Sequence, residues 1–298
     1  MPKRFVTLAW IAAACAYLLI VLGAVVRISG SGMGCGDHWP LCNGHLFPPL
    51  NEIPTVIEWS HRLVAGLVSI LVFALAAYAW RLRKGAGSRE PGAAYVAFGL
   101  LVVQVLLGAV TVKTGLTPAM VILHLATAML LLASLIVAAR RLSGSPGLRP
   151  GSAVLLALTF LTVLFGALTA NLGATAACGG FPLCNGQIIP HAGPLAAIHW
   201  THRLLAYSLA GYLIWSVVRS ADRRAWGWGG GLLAIVVLQI AIAATMIQLG
   251  FPGALQAAHA AVGAAVWAAV VIAAVKPAAD PAAAAAASPR GLTRPDTR

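Results

Sequence analysis

Four histidines of this 298-residue chain stand inside long apolar stretches: His61, His124, His202 and His259. An ionisable side chain is costly to place in an apolar span and usually marks function. Two neutral imidazoles offered to opposite faces of a flat ligand are the axial set of a six-coordinate haem. A hydrogen bond across a helix interface is the alternative for any one of them, but the recurrence of the pair in both halves of the chain favours ligation. Glu58 lies three residues before His61, one helical turn away on nearly the same face. A carboxylate at the mouth of a dry pocket can act as a base or stabilise developing positive charge; an ion pair with Arg62 is the competing reading. Arg62 and Arg203 each follow a histidine directly. They suit a haem propionate through a charge-assisted bidentate contact, or else they snorkel to lipid headgroups.

Four of the five cysteines form two close pairs, Cys35 with Cys42 in CGDHWPLCNG and Cys178 with Cys184 in CGGFPLCNG. In the first loop a zinc site from Cys35, His38, Cys42 and His45 competes with a disulfide. The second loop keeps both cysteines but has no counterpart of either histidine, which favours disulfides in both. Cys15 reads as a small packing residue, and His38, His45 and His191 as solvated loop residues.

The elements that must position these groups are apolar helices. Hydrophobic residues make up 60% of the chain and charged residues 9%, against roughly 25% charged in a soluble domain. Eight stretches are long enough to cross a bilayer, which takes about 20 apolar residues each: 5–26, 59–80, 93–112, 119–139, 152–172, 198–218, 231–249 and 254–275. The fold class expected is an all-α polytopic membrane protein. With both termini in the cytoplasm, 16 of the 20 Lys and Arg residues fall on the cytoplasmic side, and the cysteine loops lie outside. The net charge of +13 therefore reports topology, not a nucleic-acid partner. Lys3 and Arg4 before an apolar run resemble a signal peptide, but the run is too long for one.

The chain is also a repeat. Beyond the cysteine loops, Glu58-Trp59-Ser60-His61-Arg62 aligns with His199-Trp200-Thr201-His202-Arg203, Gln104 with Gln239, and His124 with His259. Each unit has four helices, so the copies share one orientation and are related by a pseudo-two-fold axis along the membrane normal. The expectation is two tandem four-helix bundles, 1–142 and 143–276, followed by a disordered cytoplasmic tail, 277–298. All four histidines fall near the start of even-numbered helices, hence at similar depth in the outer leaflet. The departure from symmetry that matters most is Glu58, whose mate is His199.

These motifs together closely resemble the haem A synthase family, from the first helix to about Lys276. The resemblance implies that haem O is oxidised at its C8 methyl to a formyl group through successive hydroxylations, supplying haem A to terminal oxidases. It implies that His61 and His124 face the substrate haem with Glu58 catalytic, while His202 and His259 ligate the iron of a haem b cofactor. It further implies a haem O-supplying farnesyltransferase, an electron acceptor, a lipid environment and a catalytic link for the Cys35–Cys42 pair. A homo-oligomer is compatible with it. Two rival readings are a bis-haem b electron carrier that leaves its haems unchanged and a haem-free transporter. A transmembrane carrier should place a haem near each surface and has no use for Glu58 in one half only. A transporter should cluster its polar groups at the midplane.

Overall fold

A computed structural model describes residues 3–49, 51–83, 92–140, 151–191, 193–219 and 223–275. Its described residues form eight helices: α1 (Lys3–Ile28), α2 (Ile53–Leu82), α3 (Gly92–Lys113), α4 (Pro118–Arg140), α5 (Ser152–Asn171), α6 (Pro194–Arg219), α7 (Arg223–Gln248) and α8 (Gly253–Ala274). The expected tail, 277–298, lies outside the described residues, as do several of the basic residues used to orient the chain. Seven of the helices are long and apolar enough to cross a membrane. The eighth, α6, has the length, 26 residues, but His199, His202 and Arg203 lower its mean hydropathy. The helix with the densest polar chemistry is thus the one whose composition departs furthest from lipid.

The even-numbered helices begin earlier than their apolar runs. Pro54 occupies the first turn of α2, where a missing N–H is harmless and the fixed φ is already helical. Glu58 and His61 consequently lie well inside a formed helix. The odd-numbered helices all end in one way. The N–H groups of Ser31, Leu116, Ala174 and Phe251 reach back to the carbonyls of Val26, Thr111, Thr169 and Met246. At the end of α1 this closure requires Gly30 in the left-handed region, φ 68°, a conformation open to glycine at little cost.

Helix α1 packs on α2, α4 and α8; α2 on α3; α3 on α4; α5 on α6 and α8; α6 on α7; and α7 on α8. Contacts of α4 with α5 and α8 complete the set. Ala9, Ala12, Ala13 and Ala16 are buried along α1, and such small residues let helix backbones approach closely. Leu75, Leu132, Leu135 and Ile136 are the large side chains buried beside them. Two polar contacts tie α8 to the first four helices. Trp267 Nε1 donates to the Met129 carbonyl at 2.8 Å, and the Tyr17 hydroxyl donates to the Ala261 carbonyl at 3.2 Å. Outward-facing Phe73, Leu106 and Val218 are exposed, as expected for helices whose solvent is hydrocarbon.

Candidate functional site

The two cysteine loops are small closed structures, each fastened to the helix that follows. Cys35 is joined to Cys42 by a disulfide, and Cys178 to Cys184, the pairing expected in preference to zinc. Each loop also carries one antiparallel bridge, Cys42 with His45 and Cys184 with Gln187. All four cysteines are buried, whereas His38, His45 and His191 are exposed. His38 Nδ1 lies 3.6 Å from Asp37.

The arginines that follow His61 and His202 hold these loops in place. Arg62 Nη1 donates to the carbonyls of His38 and Leu41, both at 2.6 Å. Arg203 Nη1 donates to Gly180 and Leu183 at 2.8 Å, and its Nη2 to Cys178 at 2.6 Å. Three carbonyls of one loop thus converge on a guanidinium that is only 5% exposed. Sequence spacing could not reveal this, because the acceptors are backbone atoms. A charged donor in such surroundings makes its strongest hydrogen bonds.

Glu58 is 3% exposed and is held by its own half. Its Oε2 accepts the Cys35 backbone N–H at 2.8 Å. Its Oε1 accepts Arg62 Nη2 at 2.6 Å and Nε at 3.2 Å. The carboxylate is therefore anchored to the loop and the arginine at once. In the second half His199, the mate of Glu58, is also buried, and its Nδ1 lies 3.1 Å from the Ala174 carbonyl. An imidazole and a backbone carbonyl there replace the carboxylate and amide of the first half.

The four membrane histidines are drawn together in pairs. The rings of His202 and His259 have centroids 6.4 Å apart, and His61 lies within electrostatic reach of His124. Glycines make room for the rings. A methyl group on Gly23 of α1 would come within 3.2 Å of His61 Cε1, and one on Gly166 of α5 within 2.9 Å of His202 Cε1. Gln104 Nε2 lies 3.0 Å from His124 Nε2, and Gln239 Nε2 lies 3.3 Å from His259 Nε2. Gln239 also donates to the His259 carbonyl at 2.9 Å. The sequence repeat marks both glutamines and both histidines, though not the contact between them.

The polar inventory of these pockets is incomplete. Nδ1 of His61, His124 and His259 and Oε1 of Gln104 and Gln239 are buried without a hydrogen-bond partner, a state proteins seldom tolerate. Beside glycine-made space, these buried imidazoles offer ring nitrogens that a planar iron macrocycle could take as ligands.

Residues 6–271 match the family described as cytochrome oxidase assembly protein, COX15-CtaA. The chain belongs to this family. Its membership extends to curated relatives. A heme A synthase of Alkalihalophilus pseudofirmus is 34% identical over 255 residues, covering 80% of this chain and 85% of the relative. That of Halalkalibacterium halodurans is 34% identical over 263 residues, covering 82% and 87%. That of Bacillus licheniformis is 32% identical over 260 residues, covering 78% and 84%. The family match spans both cysteine loops and all four membrane histidines.

Proposed function

We propose that the chain is a haem A synthase, an oxidoreductase that converts haem O to haem A by successive hydroxylations of the C8 methyl. The names of its relatives support the substrate class. The observation that carries the division of labour is one histidine pair built twice, with a buried carboxylate beside the first pair only. On this reading 1–142 and 143–276 are two four-helix bundles, a division that the helix neighbours support. His61 and His124 would hold the substrate haem, and His202 and His259 would hold the iron of haem b. Both termini are cytoplasmic and the cysteine loops face outward, so haem O arrives from a farnesyltransferase within the same membrane.

Each hydroxylation takes its oxygen from water and releases two electrons and two protons. Glu58 is placed to serve both needs. Each of its oxygens already accepts at least one bond from the protein and keeps lone-pair capacity for a water or a proton. Its negative charge stabilises positive charge developing on the conjugated methyl carbon. Arg62 and the Cys35 amide fix its direction, which removes the cost of reorientation during reaction. The Cys35–Cys42 link holds the amide that Glu58 uses, so the disulfide acts on chemistry through position. Haem b, when bound, would supply one-electron redox chemistry to the reaction. His202 and His259 would hold it.

Expression with a source of haem O, purification in mild detergent and chromatography of the acid-acetone extract test the reading. Haem A beside haem b in the wild type, with haem A lost in Glu58→Ala, is the expected result. Two copies of haem b per chain, unaffected by Glu58→Ala, would instead identify an electron carrier.

A further inference from the structure

A substrate haem carries two propionates, and carboxylates near a membrane surface call for a cation. The two arginines adjacent to histidines are engaged with loop carbonyls and with Glu58. At the same end of the first four helices, Lys113 lies 3.7 Å from Asp37. Arg27 differs from all of these. It is the basic residue in the last turn of α1, its side chain is exposed, and among the described residues that side chain makes no hydrogen bond or ion pair.

Its position on α1 is informative. Gly23, one turn earlier, is the residue that abuts His61, and residues four apart share a helix face, about 6 Å apart along the axis. The stripe that gives His61 its space therefore carries Arg27 one turn further along α1, nearer in sequence to the Cys35–Cys42 loop. The second half has no equivalent: Gly166 abuts His202 in the same way, and one turn on stands Ala170.

Resting on the substrate assignment above, we propose that Arg27 binds a propionate carboxylate of the substrate haem in the first four-helix unit. The C8 methyl and the adjacent propionate share one pyrrole ring of the porphyrin. A guanidinium holding that carboxylate thus keeps the reacting methyl at the ring edge facing the loop and Glu58. Arg27 is then a determinant of orientation as well as of affinity, and it belongs to the substrate half alone.

The test is a titration of the purified full-length protein, its haem b retained, with haem O and with haem O dimethyl ester, followed by absorbance. One charge-assisted hydrogen bond is worth about 1.5–3 kcal/mol, so Arg27→Ala is expected to bind haem O about ten- to a hundredfold more weakly. Arg27→Lys should recover most of the loss. The ester should bind wild type as weakly as Arg27→Ala binds the free acid, and should not distinguish the two proteins. Haem b content reports the integrity of each variant, and the comparison of acid with ester in wild type needs no variant. Unchanged haem O affinity in Arg27→Ala would overturn the proposal and leave Arg27 as a lipid-headgroup contact, as would equal losses for acid and ester. His61→Ala separates the two levels: if it loses haem O while Arg27→Ala does not, Arg27 alone is wrong. If His61→Ala also binds normally, the substrate assignment fails and this proposal with it.

Discussion

Nδ1 of His202 lies 2.9 Å from the carbonyl oxygen of Thr162, and that contact distinguishes the two halves of the molecule. A carbonyl only accepts, so Nδ1 carries the proton and Nε2 presents its lone pair, the arrangement that orients a metal-ligating histidine. His61, the mate of His202, has its Nδ1 buried with no partner. One ring is fixed in advance and the other is not.

Haem held by the second half should therefore be the tighter. His202→Ala or His259→Ala is expected to abolish the haem that survives detergent washing, whereas His61→Ala should leave that fraction near its wild-type level. Pyridine haemochrome content of washed protein measures the difference.

Gln104 competes with any ligand for His124 Nε2. A single hydrogen bond contributes about 0.5–1.5 kcal/mol net, so Gln104→Leu should tighten haem binding in the first half by about two- to tenfold and slow its release. Transfer of haem to apomyoglobin gives the rate. Gln239, held additionally by the His259 carbonyl, is less free to turn, and its substitution should loosen the second site by disordering the ring.

The glycine beside His202 admits no methyl group without movement. Gly166→Ala is expected to displace the imidazole from a ligating position and to lower the retained haem severalfold. Gly66→Ala, on α2 in open space, should retain a full complement. Haem absorbance per protein in the two variants makes the comparison.

Glu58→Gln keeps the shape of the side chain and can still accept the Cys35 N–H, but it loses the negative charge. Product formation should fall at least a hundredfold while retained haem b stays constant. Glu58→Ala should add a stability loss of about 1–3 kcal/mol, because the buried Cys35 amide is left without an acceptor. Haem A yield and thermal unfolding in detergent read the two effects separately.

Much of this was legible in the residues alone, for definite reasons. Helices surrounded by lipid must be apolar along their length, so their number followed from runs of Leu, Val and Ala. The cysteine pairing followed from the comparison of two loops, one of which lacks histidines. Arg62 and Arg203 show the limit. Their spacing from His61 and His202 suggested a propionate, but most of their hydrogen bonds go to carbonyls of His38, Leu41, Cys178, Gly180 and Leu183, atoms that every residue possesses and no pattern reveals. The same limit hid the Thr162 carbonyl. Glu58 was marked by its asymmetry, and the competing ion pair with Arg62 is present at 2.6 Å. A carboxylate can be so paired and still accept further bonds, so the ion pair is compatible with the proposed role in catalysis.

The hydroxyl of Tyr17 on the Ala261 carbonyl, two residues past His259, gives α1 a second task. The same helix that clears space for His61 at Gly23 bears on the His259 segment six residues earlier, roughly 9 Å along its axis. Both histidine pockets thus share a single wall. A displacement of α1 would bear on His61 and on the His259 segment together.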